Sequence, residues 1–310
     1  MIPLKFLVEY FAMRAIALIA NVLPYKAAIL FGWLHAWISH YLFHFRSREA
    51  KRRIRSVFGG SLTDPEVDRI AWQSWRNIVL SGIEMMRTTE RDVRRMYNIP
   101  ANRVVLDAIS KFSEQKKGAI IAVPHMGSWE MAACAAKMHG VPVFSIAARQ
   151  NNFLTSDYLI NVRFKRGIDT IARGSSAIKD VLTRITQGEA LAILSDVRVR
   201  TPALSIPFLG GTANIGEGMA IFAKQTNSPI LAIVVRRIGL FKHSLTLCET
   251  IFPDKSLDKK ADVSRMTACV LKHFEKAIME DPGQWFWYNK RWILDPLENT
   301  KTVQSEMSNV

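Results

Sequence analysis

Residues 118–131 read GAIIAVPHMGSWEM, and this stretch changes character halfway along. Its first six residues form a short, continuous apolar run, which is typical of a strand buried on both faces. Pro124 ends strand pairing, and Gly127 permits a tight turn. Ser128 is a good N-cap residue, and Glu130 falls in the first turn of the helix that follows. The stretch therefore predicts a buried strand that leads through a short loop into a helix.

The same alternation continues along the chain. An early helix is predicted to begin at Thr63 or Asp64, with Pro65 in its first position. Later helices are predicted at 129–138, 153–165, 176–186, 214–226 and 263–280, and later strands at 141–148, 168–172, 190–195, 229–237 and 242–252. Alternating strands and helices indicate an α/β fold with a mixed, largely parallel sheet flanked by helices. We assign this domain to residues 57–298, followed by a polar tail at 299–310.

His125 and Glu130 form either a catalytic pair or simply the entrance to a helix. Residues five positions apart point about 140° away from each other on a continuous helix. The two side chains can meet only if His125 lies in the loop and Ser128 starts the helix. A histidine held by a carboxylate can take a proton from a hydroxyl, and α/β folds place ligands beyond the carboxyl ends of strands. Spacing alone leaves catalysis and capping open.

Composition narrows the classes of protein. Hydrophobic residues make up 49% of the 310 residues and charged residues 22%, which fits an ordered chain with a large core. The net charge of +15 implies a polyanionic partner. We expect no nucleic acid, because no nucleic-acid-binding motif is present and the aromatic residues are not interleaved with basic ones. We expect no metal, because the three cysteines are scattered and no other histidine has ligand spacing with His125.

Residues 1–56 combine two apolar runs, 15–24 and 27–43, with a basic cluster at 44–55. The second run carries no fixed charge, but it is at the lower edge of the roughly 20 residues that a spanning helix needs. Dense Arg and Lys beside an apolar segment suit anionic lipid headgroups and place that side in the cytoplasm. We expect a membrane-attaching helical segment, either spanning the bilayer or lying in its interface. A buried hairpin of a soluble core is the alternative.

The loop motif also resembles a known family. PHMGSWE at 124–130 is similar to the His-x-x-x-x-Asp/Glu box of glycerolipid acyltransferases, and most of all to the His-x-Gly-Asn-Trp-Glu form in the bacterial lipid A late acyltransferases. Further blocks resemble that family in the same order, so the resemblance covers nearly the whole chain. They are the basic stretch at 48–59, AARQNNFLTSDYLINVRFKRG at 147–167, LSD at 194–196, PFLGGTAN at 207–214 and DPGQWFWYNKRW at 281–292.

This resemblance implies a role for each matching residue. His125 would be the general base on the acceptor hydroxyl, and Glu130 its orienting carboxylate. Arg163, with Arg166 as second choice, would stabilise the developing oxyanion, an effect worth about 3 to 4 kcal/mol for an oxyanion-hole donor. Arg149 would hold a phosphate of the acceptor or of the donor's pantetheine arm. The other substrate-binding residues implied are Gly127, Ser128, Trp129, Asp196 and Arg291.

The reaction implied is transfer of a fatty acyl chain to a hydroxyl of a phosphorylated glycolipid, such as a lipid A precursor. The donor would be acyl carrier protein, with no covalent acyl-enzyme and no cofactor beyond the acyl-ACP or acyl-CoA co-substrate. An acidic carrier protein and anionic lipids both suit the positive charge. The resemblance implies a catalytic domain on the cytoplasmic face of the inner membrane. A lysophospholipid or other glycolipid acceptor is the alternative, and a non-enzymatic basic membrane-surface or nucleic-acid-binding protein is a distant one.

Two departures from the family pattern leave the acceptor open. The usual Asp-Gln-Asp stretch reads SDVR at 195–198, so only the first acid, Asp196, is kept. The C-terminal block has Asn289 where a histidine is usual, before Lys290 and Arg291. Both changes fall where a headgroup would be read, and neither touches His125.

Overall fold

The computed structural model describes residues 2–87, 89–172, 174, 177–199 and 204–295. Two sets of strands are present in these ranges. The main sheet contains β1 (Ala119–Val123), β2 (Val143–Ala147), β3 (Asp169–Ala172), β4 (Ala190–Leu194), β7 (Ile230–Arg237) and β8 (His243–Ile251), and a separate hairpin contains β5 (Leu204–Phe208) and β6 (Gly211–Ile215).

Helices cover both faces of the main sheet. Those before it are α1 (Leu4–Val22), α2 (Tyr25–Trp37), α3 (Ser47–Phe58), α4 (Asp64–Arg87), α5 (Glu90–Tyr97) and α6 (Pro100–Glu114). Those within and after it are α7 (Trp129–Met138), α8 (Phe153–Phe164), α9 (Ala177–Thr186), α10 (Gly218–Thr226) and α11 (Lys259–Glu280). A π-helical turn, Ile38–Leu42, follows α2, and a short turn, Pro282–Gln284, follows α11.

The predicted α/β class is confirmed. The strand order is β3-β2-β4-β1-β7-β8, and the pairs up to β7 are parallel, whereas β8 runs antiparallel to β7. Strand β1 is buried along its whole length, because its alternate side chains enter hydrophobic cores on opposite faces. Ile120 and Ala122 pack on the face covered by α9, α10 and α11, and Ile121 and Val123 pack under α6 and α7.

One local prediction is wrong, and some elements were not predicted. Residues 214–226 are not one helix, since Asn214 and Ile215 pair in the β5–β6 hairpin before α10 begins at Gly218. This hairpin was not predicted, nor were helices α5 and α6 between the first long helix and β1. Helix α4 does begin at Asp64, where Glu66 accepts hydrogen bonds from the backbone and hydroxyl of Thr63.

The N-terminal helices pack against α4 and leave much apolar surface exposed. Within the described residues, no helix is both long and apolar enough to cross a bilayer. The exposed large hydrophobic residues of α1 fall at helical spacing along one side: Leu4, Val8, Phe11, Leu18, Ile19 and Val22. The membrane-attaching role of this segment therefore stays a prediction.

One member of the basic cluster is not available to headgroups. Arg53 of α3 is buried, and its guanidinium donates to the carbonyl oxygens of Trp287 and Asn289 at 2.9 and 2.6 Å. It also lies over the ring of Trp292, with its charge balanced by Glu49. Arg53 therefore anchors the C-terminal segment to the N-terminal helices.

Candidate active site

Sheet register brings the loop after β1 against the residues after β4. Val123 and Leu194, the last residues of these parallel strands, are paired, and Ser195 donates its backbone N–H to the carbonyl of Val123. The next residues in each chain segment, including His125 and Asp196, therefore emerge side by side at the carboxyl edge of the sheet. This edge is where open α/β sheets bind ligands.

His125 and Asp196 make a close pair. Nδ1 of His125 lies 2.6 Å from Oδ1 of Asp196, and the backbone N–H of His125 donates to Oδ2 at 2.7 Å. The Asp196 side chain is 1% exposed and that of His125 is 16% exposed. Burial raises the pKa of Asp196, but the charge of His125 and three hydrogen bonds outweigh it and hold this pKa below its ordinary value. Asp196 is therefore ionised at neutral pH.

The ionised carboxylate sets the tautomer of His125. Because Asp196 can only accept, the proton of the neutral ring lies on Nδ1, and Nε2 carries the free lone pair. No described residue forms a hydrogen bond with Nε2. A partly exposed imidazole with a free Nε2 and an oriented Nδ1–H has the arrangement of a general base.

The C-terminal segment closes around this pair. Trp285 donates its indole N–H to Oδ2 of Asp196 at 2.7 Å, and it bridges Met126 through the backbone. The N–H of Phe286 donates to the carbonyl of His125 at 3.0 Å. Residues just after α11 therefore hold both members of the His125–Asp196 pair from above the sheet.

Glu130 does not orient His125, so the predicted pairing is wrong. Both carboxylate oxygens of Glu130, in the first turn of α7, accept from Arg163 near the end of α8. Nε of Arg163 lies 3.0 Å from Oε2, and Nη2 contacts Oε1. The physical reason is position: Glu130 leads into a helix that faces α8, whereas strand pairing puts Asp196 beside the histidine.

The turn at Gly127 is tied to the sheet beneath it. Its φ is +57°, and a Cβ at this position would lie 2.6 Å from the carbonyl oxygen of Val235. The carbonyl of Gly127 accepts from Ser81, and that of Ser128 accepts from Tyr97. Only glycine fits so close a backbone approach at positive φ, so the turn and two outside hydroxyls together fix where His125 stands.

Ser128 occupies the N-cap position of α7, but its hydroxyl does not cap the helix. Its Oγ is buried without a partner among the described residues, as are Nε1 of Trp129 and Oγ of Ser195. All three atoms belong to the two segments that carry His125 and Asp196.

Trp129 contacts His125 and also borders the Glu130–Arg163 ion pair. Its ring meets that of His125 edge to face, with centroids 4.9 Å apart. Trp129 also lines a narrow crevice together with Glu130, Arg163 and apolar residues of β2 and β4. A second, almost wholly apolar crevice lies behind Trp129, between α7 and the sheet, and Ala132, Ala133, Ala136 and Ala192 are among its lining residues.

The remaining predicted residues are spread around this centre. Arg149 is exposed in the loop after β2, and Arg166 is partly buried just after α8, where burial lowers its pKa. Arg291 is brought near the segment after β4, because its carbonyl accepts from the backbone N–H of Arg198. The structure puts none of these three in contact with His125.

Sequence reasoning missed two functional contacts here. Asp196 was predicted as a substrate-binding residue, and its position one residue past a predicted strand was the signal for a strand-edge partner of His125. Trp285 was quoted within the C-terminal block without a role. No spacing rule links Trp285 to Asp196, 89 residues earlier in the chain, so only the fold could reveal that bond.

A histidine held by a buried aspartate at the strand ends, with its other ring nitrogen open, has the arrangement that group-transfer enzymes use for a base. Residues 2–293 match the family described as bacterial lipid A biosynthesis acyltransferase, so the chain belongs to that family. It is also similar to the phosphatidylinositol mannoside acyltransferase of Mycolicibacterium smegmatis, with 21% identity over 183 residues. The matched part is 58% of this chain and 58% of that relative, so it spans less than two thirds of the relative's length.

Proposed function

We propose that this acyltransferase moves a fatty acyl chain from an acyl carrier protein thioester to a hydroxyl of a phosphorylated glycolipid, such as a lipid A precursor. The observation that carries the proposal is the His125–Asp196 pair with Nε2 free. The match over residues 2–293 supports the lipid class of the acceptor. A glycolipid acceptor also agrees with the name of the mycobacterial relative.

The chemistry needs no nucleophile from the protein. Nε2 of His125 takes the proton of the acceptor hydroxyl as its oxygen attacks the thioester carbonyl, and Asp196 stabilises the imidazolium that forms. The tetrahedral oxyanion then collapses, the carbon–sulfur bond breaks, and the leaving thiolate receives the proton from the imidazolium. Acyl ester and free thiol are the products, and the base returns to its starting state.

Arg163 is the proposed oxyanion donor, in the company of Glu130. Its Nε and Nη2 are held by Glu130, while Nη1 makes no hydrogen bond with the described residues. The bidentate grip fixes the guanidinium plane, and the pair lines the crevice beside Trp129. The role of Glu130 becomes the orientation of this arginine rather than of the base.

Apolar and basic features around the site suit the two substrates. The alanine-lined crevice behind Trp129 has the character that an acyl chain requires. Exposed Arg149, at the rim of the sheet, suits a phosphate of either substrate. A net charge of +15 favours encounter with an acidic carrier protein.

We further propose that the N-terminal helices lie in the interface of the inner membrane, on its cytoplasmic face. The apolar stripe of α1 continues in exposed Leu30 and Leu34 of α2 and in Phe43, and exposed Arg48 and Arg52 follow. This combination suits an anionic lipid surface. Flotation with anionic lipid vesicles tests it: Phe11→Glu should weaken binding, whereas Val104→Glu, at an exposed valine of α6, should not. Equal binding of the two variants would contradict the proposal.

The main test measures acyl transfer by the purified full-length protein, with acyl carrier protein as donor and lipid A precursor as acceptor. His125→Ala should lower the rate about 10² to 10⁴-fold, the usual contribution of a general base. His139→Ala is the matched control, because His139 is also partly exposed and bonded to an aspartate, Asp107 at 2.6 Å, but lies at the far end of α7. Near-wild-type turnover by His125→Ala would end the proposal.

The second candidate differs only in substrates: a lysophospholipid or another glycolipid as acceptor, with acyl-CoA or acyl-ACP as donor. This candidate is supported by the departures from the family pattern at Ser195-Asp196-Val197-Arg198 and at Asn289, because both fall where the acceptor headgroup would be read. Mass spectrometry of the lipids of a deletion strain separates the candidates. Loss of an acyl chain from lipid A supports the first, and an altered phospholipid or other glycolipid profile supports the second.

A further inference from the structure

A second cluster of reactive side chains lies outside the acyltransferase site. Glu249 of β8 and Cys269 and His273 of α11 each direct one ligand atom inwards, and these atoms all lie within 4.8 Å of one another. Strand β8 is the sheet edge, two strands from β1, which is roughly 10 Å at ordinary strand spacing. None of the three residues takes part in the contacts around His125.

The local structure explains why these groups converge. Cys269 and His273 are four residues apart on α11, so they share one face of the helix. Helix α11 packs across β7 and β8, and Glu249 points from the strand to meet that face. We expected no metal because the cysteines and histidines lack ligand spacing along the sequence. Such spacing cannot reveal a carboxylate that comes from a different strand, as Glu249 does.

The three ligand atoms already lie in hydrogen-bond contact, slightly closer together than ligands around a metal ion. Sγ of Cys269 lies 3.2 Å from Oε2 of Glu249, and Nε2 of His273 lies 2.6 Å from the same oxygen. In tetrahedral zinc sites, ordinary bond lengths place neighbouring ligand atoms roughly 3.3 to 3.6 Å apart. Glu249 is exposed and the other two side chains are partly buried, so small side-chain rotations would separate the ligand atoms enough to admit an ion.

We propose that Glu249, Cys269 and His273 form a binding site for Zn²⁺ or a similar thiophilic divalent cation. The set of one sulfur, one imidazole nitrogen and one carboxylate oxygen selects zinc or cobalt over magnesium and calcium, because the latter prefer oxygen ligands alone. Binding clamps the edge strand β8 to α11. The unfolded chain does not hold the three groups together, so metal binding favours the folded state.

Metal binding at this cluster must displace one proton. The cation takes the place of the thiol hydrogen: the sulfur–hydrogen bond breaks, the metal–sulfur bond forms, and the proton passes to solvent. The other charged groups facing the cluster are Arg265 and Lys272, which oppose a cation at every pH at which they are charged.

The test is a titration of the full-length, chelator-treated protein with Co²⁺, followed by Zn²⁺. Co²⁺ bound through a thiolate gives a sulfur-to-cobalt charge-transfer band and intense tetrahedral d–d bands. We expect these bands to saturate at one equivalent and to disappear when Zn²⁺ is added. Cys269→Ser should abolish the charge-transfer band. His273→Asn should weaken Co²⁺ affinity at least about tenfold, because losing a ligand should cost no less affinity than losing a residue that only orients a ligand.

Two matched controls separate this site from adventitious binding. Cys248→Ser removes a partly buried thiol on β8 that is not part of the cluster. His139→Ala removes a histidine outside the cluster that is also bonded to a carboxylate. Both should keep the bands. Absence of a thiolate band in the folded wild-type protein, its survival in Cys269→Ser, or its loss in Cys248→Ser would overturn the proposal. If Cys269→Ser does not fold, the affinity of His273→Asn decides.

Acyl transfer is measured in parallel, because the metal site does not depend on the proposed function and either proposal can fail without the other. Cys269→Ser should retain wild-type turnover, since Cys269 contacts neither the catalytic pair nor the crevices. His125→Ala, conversely, should bind Co²⁺ like the wild type.

Discussion

Two carboxylates border the active site, and the contrast between them shows how roles are divided there. Asp196 is almost fully buried and accepts from the ring and backbone of His125 and from Trp285. Glu130 is 16% exposed and gives both its oxygens to Arg163. In the proposed mechanism, one acid therefore supports a base that takes up a proton, whereas the other holds a cation that stays charged. The acid five residues from the histidine serves the arginine, and the acid 71 residues away serves the histidine.

This difference comes from the architecture rather than from the residue types. Parallel strands in register deliver their following loops to one place, so Asp196 reaches His125 over a large gap in sequence. A helix start carries Glu130 away from the loop and toward α8. Substitutions of Asp196 and Glu130 can test which carboxylate supports the base.

The largest effect is expected for Asp196→Asn. An asparagine of the same shape can donate to Nδ1, which would move the ring proton to Nε2 and remove the basic lone pair. By analogy with the same change in a catalytic triad, turnover should fall about 10³ to 10⁴-fold with little change in KM. Steady-state kinetics of the folded variant check this. If Asp196→Asn lowered turnover less than Glu130→Gln does, Glu130 rather than Asp196 would be the acid that supports the base.

A smaller effect is expected for Glu130→Gln. The change weakens the grip on Arg163 but leaves the base intact, and loss of a hydrogen bond to a charged group costs about 1.5 to 3 kcal/mol, or roughly 10- to 100-fold in rate. The double variant with Arg163→Gln provides the decisive measurement. If Glu130 acts only through Arg163, the two losses will not add, whereas Glu130→Gln and Asp196→Asn will combine almost additively.

Trp285→Phe should have a modest effect that sharpens the comparison. It removes one of the three hydrogen bonds to Asp196 and keeps most of the ring packing. A hydrogen bond is worth about 1 kcal/mol, so turnover should fall about fivefold. Trp292→Phe is the control, because Trp292 packs on Trp285 but makes no hydrogen bond with Asp196. Equal losses in the two variants would assign the effect to packing instead.

The smallest expected effect concerns acid stability. Because the pKa of Asp196 is lowered in the folded protein, its contribution to the free energy of unfolding is present above about pH 4, the ordinary aspartate pKa, and is lost as pH falls through the folded value. Urea unfolding of wild type and Asp196→Asn between pH 6 and acid conditions should therefore show a shallower pH slope in the variant. Parallel slopes would contradict the lowered pKa.

The sequence allowed much of this site to be predicted. Apolar runs of strand length alternating with helical patterns indicated the parallel sheet, and Pro124 and Gly127 located the loop that carries His125. The family resemblance is confirmed over residues 2–293. The errors have two causes. Glu130 and Ser128 were judged by their distance along the chain, whereas the strand residues at Asn214 and Ile215 stand in a stretch with a helix-like composition.

What the sequence determined by itself was local and periodic. The buried strand, the turn, the helix after it and the presence of a histidine between them follow from side-chain polarity and backbone freedom over a few residues. Only the tertiary structure decided which groups meet: Asp196 and Trp285 at His125, Arg163 at Glu130, and Glu249 at Cys269 and His273. The physical reason is that strand register and helix packing bring together atoms from distant parts of the chain. GAIIAVPHMGSWEM thus places His125 in its loop, and the pairing of the surrounding strands decides which carboxylate lies beside it.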